Sequence, residues 1–134
     1  MKRMTLENKL KKKLDEKCEL AICIASTESM IKGVFHETRT KCGRKNCKCY
    51  EGEGHLCRRI TWSDHGKSRI KSISSAHEEW AQENTRHYKA FRKGRQKLTE
   101  LDKEIQELLD IFENELVKET WKKNKNIPSP EVIT

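Results

Sequence analysis

Apolar residues recur at helical spacing near both ends of the 134-residue chain, and the segment between them has a different pattern. Over residues 5–25, Leu6, Leu10 and Leu14 return every four residues, while lysines occupy many of the other positions. This period places the apolar side chains on one face and predicts a first helix. Ser-Ala-His-Glu from Ser75 has the form of a capping box, so we expect a long helix to begin there.

The long helix carries a seven-residue repeat that starts at Phe91 and covers about three heptads, the shortest repeat that indicates a coiled coil. A coiled coil here would form a homodimer or recruit a protein partner. The same face could instead pack on the first helix, which would give a two-helix hairpin within one chain, and the pattern does not separate these alternatives. The positions predicted for dimerisation are Leu98, Leu101, Ile105, Leu108 and Phe112.

The middle of the chain has the composition of strands. Residues 31–40, 58–63 and 68–74 are rich in β-branched and aromatic side chains, and Asp64-His65-Gly66-Lys67 predicts a turn between the last two. Together they predict a small antiparallel sheet, so the fold class is α+β. The predicted divisions are an N-terminal helical segment, a zinc-knuckle sheet, a long helix and a disordered tail, over residues 1–30, 31–74, 75–121 and 122–134.

A cysteine-rich stretch lies between the first two predicted strands. Four thiols, one imidazole and three glycines fall within the sixteen residues from Cys42 to Cys57. Tetrahedral zinc needs four soft or borderline ligands at one point, and a short chain supplies them with close-spaced ligands and tight turns. The pattern therefore predicts a zinc knuckle, with the first three ligands from Cys42, Cys47 and Cys49.

The fourth zinc ligand is His55 or Cys57, and the sequence alone does not choose between them. We expect His55, because it follows two glycines on a flexible return, whereas Cys57 already begins the next strand. The spacing Cys-x4-Cys-x-Cys is not one of the common twin Cys-x2-Cys frameworks, so a disulfide framework or a reactive thiol remain alternatives. Cys18 and Cys23 lie about 140° apart around the first helix and are predicted to be buried apolar residues, not ligands.

The composition indicates that a bound metal would stabilise the fold of this chain. Hydrophobic residues make up 34% and charged residues 37%, and the mean hydropathy is -0.97, so the apolar core must be thin. Metal binding stabilises such folds, because its free energy becomes folding free energy. The sequence has neither an apolar stretch of bilayer length nor a signal peptide, so we expect a cytoplasmic protein without membrane contact, where cysteines bind metal more often than they form disulfides.

The net charge of +8 is concentrated in the middle of the chain, where residues 31–74 hold eleven Lys and Arg against four Asp and Glu. A field of this sign attracts the phosphates of DNA or RNA, although a solvated basic face is the alternative interpretation. Trp62 either stacks on an unpaired base or closes the apolar face of the sheet. The residues predicted to contact nucleic acid are Arg44, Lys45, Lys48, Arg58, Arg59, Trp62, Lys67, Arg69 and Lys71.

Charge also changes sign along the long helix. Six basic residues lie between Arg86 and Lys97, whereas from Leu98 to Trp121 there are eight acidic and two basic residues. We expect the sheet and the first half of this helix to face a polyanion, and the second half to project away and pair with protein.

Several motifs of the middle segment resemble a family of short, largely uncharacterised prokaryotic proteins. The shared elements are the Cys-Gly-x-x-x-Cys-x-Cys run from Cys42, the Gly-Glu-x-His turn ending at His55, the Gly-Lys-Ser-Arg turn from Gly66 and the charged helix from Ser75. The resemblance spans residues 31–115 and leaves the first helix uncovered. It departs after His55, where the family has Gly-Pro and this chain has Leu56 and Cys57. The resemblance implies a bound metal and this architecture, and it implies little about an activity.

These patterns predict a small zinc-stabilised nucleic-acid-binding protein with an accessory or regulatory role. We expect the protein not to be an enzyme, since the sequence lacks a Gly-rich phosphate loop, a nucleophile elbow and a His-Glu-x-x-His helix. The alternative is an adaptor whose coiled coil recruits a protein partner, with a purely structural zinc.

Overall fold

A computed structural model describes residues 3–41, 43, 46, 52, 54–128 and 130–133. The elements in this part of the chain confirm the α+β class: an N-terminal helix, a three-stranded antiparallel sheet and a long C-terminal helix. The chain divides into two compact units, one made of Met1–Ala25 with Gly94–Thr134 and the other of Ser26–Lys93. The elements are α1 (Arg3–Ala25), β1 (Val34–Thr40), β2 (His55–Asp64), β3 (Lys67–Ser72), a 3-10 turn (Ser75–His77) and α2 (Glu78–Lys123).

The sheet has the strand order β1-β2-β3, with both neighbouring pairs antiparallel. β2 begins at His55, three residues before the strand that the sequence pattern predicted, because it pairs with β1 along the whole length of that strand. The predicted turn joins β2 to β3 through His65 and Gly66, whose φ angles are 49° and 80°. Two consecutive positive φ values match the right-handed twist of a tight hairpin, and Gly66 adopts its value without strain.

One face of the sheet is covered by the first half of α2. Ile60 lies on this face and is only 3% exposed, and Ala81 of α2 is fully buried. The segment before β1 is bound to the same helix, since the Ile31 N–H donates to the Asn84 carbonyl at 3.0 Å. Directly opposite residues of antiparallel strands share a face, so Phe35, which pairs with Ile60, also lies on the covered side.

The start of α2 differs from the predicted capping box. Ser75 lies in the 3-10 turn, and the carboxylate of Glu78 lies 2.9 Å from Arg58 Nε of β2. The Ser74 hydroxyl is 2.8 Å from His77 Nδ1 and makes no capping bond to the backbone. The capping-box prediction was therefore wrong, because an ion pair with the sheet takes the carboxylate that the box would have used.

α1 and the part of α2 after Gly94 form an antiparallel helical hairpin. Ion pairs cross between them from Arg3 to Glu119 at 3.0 Å, from Lys13 to Glu104 at 2.8 Å and from Lys17 to Asp102 at 2.7 Å. The helices approach so closely at Gly94 that an added Cβ would lie 2.8 Å from Ile24 Cγ1. Of the two arrangements that the heptad pattern allowed, the structure has the intrachain hairpin. Its buried apolar residues are Leu6, Leu10, Leu101 and Ile105.

The heptad face is thus largely covered within the chain. Leu101 and Ile105 are buried, and Leu98, Leu108 and Phe112 are half-buried. Dimerisation through these residues stays a prediction, and it would require a second chain to take the place of α1.

Burial of Cys18 and Cys23 was predicted and is wrong, because both side chains are exposed. A hairpin gives α1 a single partner helix, so only a narrow stripe of α1 is buried, and even Leu14 is 49% exposed. In the described part of the chain, neither helix combines the length and the apolar character that crossing a bilayer requires.

Candidate functional site

A cleft of about 690 Å³ lies between the sheet and the first half of α2. Three aromatic side chains from three different elements line it: Phe35 of β1, Trp62 of β2 and Tyr88 of α2. All three are half-buried. Trp62 follows Ile60 by two residues and so lies on the covered face of the sheet. This position aims the indole at the helix and away from the open side of the sheet.

Four cations also line this cleft: Lys32, which precedes β1, and Arg86, Lys89 and Arg92 of α2. The helical residues are three and six positions apart, a spacing that keeps them along one side of the helix. All four are exposed. Among the residues that the structure describes, none of the four has a carboxylate within ion-pair distance. The cleft therefore presents uncompensated positive charge beside aromatic rings.

Gly33 shapes the wall of the cleft. Its φ is 151°, and an added Cβ would lie 2.7 Å from Ile60 Cγ2 and 2.8 Å from the Thr61 carbonyl oxygen. Only a residue without a side chain lets the segment before β1 lie so close to β2. The same segment is held on α2 by a contact of 2.9 Å between His87 Nδ1 and the Ser29 carbonyl.

The residues predicted to contact nucleic acid fall into different environments. Trp62 lines the cleft, and Lys67 and Lys71 are exposed on β3. Arg69 is exposed as well, 3.7 Å from Asp64. Arg59 lies on the opposite face of β2 from Trp62. Three of the predicted residues, namely Arg44, Lys45 and Lys48, lie outside the described residues.

Arg58 is largely committed to the fold. Its side chain is 18% exposed, and its Nε is 2.9 Å from the Glu78 carboxylate. Nevertheless the Nε–H makes no hydrogen bond, because it does not point at the carboxylate oxygen. The contact is an ion pair between the sheet and α2, which leaves little of this guanidinium for a ligand.

Sequence reasoning predicted only one of the described cleft residues, Trp62, as an individual nucleic-acid contact. It placed the basic half of α2 towards a polyanion, but it did not single out the cleft residues of that half. The spacing of Arg86, Lys89 and Arg92 on one side of a helix was a usable signal. The sequence gives no comparable signal for three other cleft residues, namely Lys32, Phe35 and Tyr88.

The predicted metal site lies at the other end of the β1–β2 hairpin. Thr40 and His55 are paired across the two strands, so they close the ends of the loop that carries the cysteines. Gly54 has a φ of 96°, and an added Cβ would lie 2.6 Å from the Thr40 carbonyl. A glycine is therefore required at the base of this loop. The first three predicted ligands, Cys42, Cys47 and Cys49, lie outside the described residues.

Both candidates for the fourth ligand lie at this end of β2. His55 and Cys57 are two residues apart in one strand, so their side chains share a face of the sheet. Cys57 Sγ is 3.0 Å from Thr40 Oγ1. The Thr40 hydroxyl, and to a smaller extent Arg59, lowers the pKa of the Cys57 thiol by stabilising the thiolate. Metals bind the thiolate form, so this environment suits a ligand.

The described residues alone contain no group of three or more His, Cys, Asp or Glu side chains that could hold a metal ion. His55 and Cys57 therefore need the loop cysteines to complete a site. The structure keeps both of them as candidates and brings both to the base of the cysteine loop.

Comparison with protein families shows that residues 7–83 match a domain of unknown function, DUF6788. The match includes nearly all of α1, the sheet and the start of α2, whereas the resemblance noted in the sequence spans residues 31–115 and leaves the first helix uncovered. Comparisons with curated proteins and with solved structures give no significant match. Since the family match covers more than half of the chain, the protein belongs to the DUF6788 family.

Proposed function

We propose that the protein is a small, zinc-stabilised nucleic-acid-binding protein with an accessory or regulatory role and without catalytic activity. The observation that supports this most directly is the charge of the cleft. Its four cations have no acidic partner among the described residues, although an ion pair stabilises Arg58 nearby on the same unit. Cations that the fold leaves unpaired are available for the phosphates of a polyanion.

The surface of β3 extends this positive region. Lys67, Arg69 and Lys71 alternate along the strand and are all exposed. Phosphates that bind here and at the cleft would displace counterions, which makes affinity fall steeply with salt. Most of this contact would be to the backbone of the nucleic acid and would carry no sequence information.

Zinc has a structural role in this proposal. Cys42, Cys47 and Cys49, with His55 or Cys57, would hold the ion in the loop that joins β1 to β2. A three-stranded sheet with so few buried apolar residues is marginal by itself, and a bound ion would fix the loop between its first two strands. Four protein ligands leave no open position for a substrate, which is why the proposal includes no metal-assisted hydrolysis.

The test is binding of labelled DNA and RNA to the zinc-loaded protein at several salt concentrations, with zinc content measured on the same sample. Replacing Arg86, Lys89 and Arg92 by Gln should weaken binding and lower the salt slope by about one for each phosphate that the variant no longer neutralises. The matched control replaces Arg95, Lys97 and Lys103 by Gln, which removes the same charge from exposed positions of α2 outside the cleft.

Two results would contradict the proposal. One is the absence of salt-dependent binding to any of the polymers by the zinc-loaded protein. The other is an equal loss of affinity in the cleft variant and in the control variant, because binding would then depend on total charge only.

A second candidate function is protein recruitment by the helical hairpin. Large apolar side chains of α2 stay 40–52% exposed in this unit, and they offer surface to a protein partner. We expect an association visible by light scattering that Leu109→Lys with Val117→Lys abolishes. A monomer at every concentration, with no bound partner, would contradict this function. The exposed residues are Leu109, Ile111, Val117 and Trp121.

A further inference from the structure

We propose that the cleft between the sheet and α2 binds an unpaired base of a single-stranded nucleic acid, so that the protein distinguishes single strands from duplexes. This inference rests on the nucleic-acid binding proposed above and specifies the form of the polymer. It comes from the aromatic lining of the cleft, whereas the charge alone would suit single strands and duplexes equally.

The aromatic rings offer stacking surfaces. Phe35, Trp62 and Tyr88 are half-buried in the cleft wall, so each is held by its surroundings and still reaches the cleft. Bases stack on such rings with little sequence preference, because every base has a π face. A base inside a duplex is already stacked between its neighbours and cannot enter without leaving the helix. The cleft therefore selects bases that are already unpaired.

The size of the cleft suits a nucleotide. Its volume of about 690 Å³ lies within the range of small-molecule sites, roughly 300–1,000 Å³, and none of the Asp and Glu residues that the structure describes lines it. Arg86, Lys89 and Arg92 extend about 9 Å along the axis of α2, which gives room for more than one phosphate beside a stacked base. Aromatic walls and a cationic side are the combination that single-strand-binding surfaces use.

The position of Trp62 indicates where a bound single strand of nucleic acid would continue beyond the cleft. The same indole also lines a second depression, with Arg69 and Ile70 of β3. A strand that stacks a base on Trp62 would pass next to the Arg69 guanidinium, which is 53% exposed. The path thus runs from the cations of α2, over Trp62, to β3, all within the unit formed by Ser26–Lys93.

The first experiment compares probes on the full-length, zinc-loaded protein. The probes are single-stranded RNA and DNA of about 12 nucleotides, a duplex of the same sequence, and a strand in which abasic sugars replace the bases. We expect both single strands to bind at least about 10-fold more tightly than the duplex and the abasic strand. Equal binding of all four probes would overturn the inference, as would a free mononucleotide that binds as tightly as the oligonucleotides.

The second experiment locates the effect. Trp62→Leu and Tyr88→Leu should each lower single-strand affinity by about 10-fold without changing the salt slope. Trp80→Leu is the control, because Trp80 is 55% exposed on α2 and does not line the cleft. Loss of strand preference in the control but not in the cleft variants would overturn the assignment.

A spectroscopic measurement avoids variants of the cleft that fail to fold. With Trp80 and Trp121 replaced by Phe, both at exposed positions, Trp62 is the remaining indole. We expect single strands to quench its fluorescence and the abasic strand to leave it unchanged. An indole that no single strand quenches overturns the inference. If salt-dependent binding persists in that case, the proposed function survives; if no nucleic acid binds, both fail.

Discussion

The helical hairpin (Met1–Ala25 with Gly94–Thr134) and the sheet unit (Ser26–Lys93) both contain many basic residues, but these residues differ in their partners. In the hairpin, Arg3, Lys13 and Lys17 each contact a carboxylate of α2 across the interface. In the sheet unit, the cations that line the cleft have no such partner among the described residues. The same residue types therefore pair with carboxylates in one unit and have no such partner among the described residues in the other.

The difference originates in α2. Its residues from Leu98 to Trp121 include eight acidic side chains, which supply partners for α1, whereas the stretch from Arg86 to Lys97 is basic. A net charge of +8 counts both kinds of cation alike. A binding surface is indicated by the cations that remain after intramolecular ion pairs have formed. Only the structure separates paired cations from unpaired ones.

The units also differ in how they are stabilised. The hairpin buries Leu6, Leu10, Leu101 and Ile105, whereas Ile60 and Ala81 are the only apolar residues that are buried in the described part of the sheet unit. A unit with so small a core gains stability from another source of free energy, and we propose that a metal ion bound by the cysteine loop supplies it. We therefore predict that metal removal destabilises the sheet unit and leaves the stability of the helical hairpin unchanged.

Metal removal should have the largest effect. Structural zinc contributes about 10–16 kcal/mol in small domains, as much as the whole net stability of a typical protein, roughly 5–15 kcal/mol. We expect a chelator, or Cys47→Ser, to unfold the sheet unit while much of the helical signal of the hairpin remains. Circular dichroism during heating, together with metal analysis, would measure this.

The control for metal removal replaces Cys18 and Cys23 by Ser. Both are exposed on α1, so this variant should keep its metal and its melting temperature. A protein that is purified without metal and melts identically with and without chelator would show that the sheet unit needs no metal.

Leu101→Ala should have the next largest effect and should be confined to the hairpin. Leu101 is 5% exposed, and truncating a buried leucine costs about 2–5 kcal/mol. We expect a lower melting temperature for the hairpin and unchanged affinity for nucleic acid. Leu109→Ala, at a position 40% exposed, is the matched control and should change stability much less. Equal losses in the two variants would argue that the face of Leu101 is not the interior of a hairpin.

Gly33→Ala tests the sheet unit in the same way. A non-glycine residue in this backbone region costs about 1–3 kcal/mol, and the added Cβ would also overlap Ile60 and the Thr61 backbone. We expect lower stability and weaker binding of nucleic acid, because Gly33 lines the cleft. Gly66→Ala has a similar strain in φ, at 80°, but nothing lies within 4 Å of its Cβ, so it should destabilise less and leave binding unchanged.

The regular elements could be predicted because their signals are local. The spacing of Leu6 and Leu10 identifies α1, and His65-Gly66 identifies the hairpin turn. The capping box failed for a reason that is not local: Glu78 pairs with Arg58, twenty positions earlier in the chain. Local patterns therefore predicted the elements but not the partners of their polar residues.

The cleft could not be predicted for the same reason. Its lining comes from three separate stretches, residues 32–35, 61–63 and 82–92, which only the tertiary fold brings together. Nothing in the sequence indicates that Arg58 is paired while Arg86 is not. The candidate metal ligands were easier to nominate, because their spacing is itself the signal, and the structure adds that His55 and Cys57 share one face of β2.

The smallest expected effects come from single charges, and they test the comparison most directly. Lys13 contacts Glu104 at 2.8 Å, and this hydrogen bond is the main reason that the pKa of Lys13 is raised. Exposed ion pairs are screened by salt and add little stability. We therefore expect Lys13→Gln to lower the melting temperature slightly at low salt only, and to leave nucleic-acid affinity unchanged.

Lys89→Gln should show the opposite behaviour, although it removes the same charge. Lys89 lines the cleft and has no ion-pair partner among the described residues, so its loss should leave the melting temperature unchanged. Its loss should also weaken nucleic-acid binding and reduce the salt slope by about one. Thermal melting and salt-dependent binding of both variants would decide the matter. If Lys13→Gln weakened binding as much as Lys89→Gln, paired and unpaired cations would be equivalent, and the distinction between the two units would not hold.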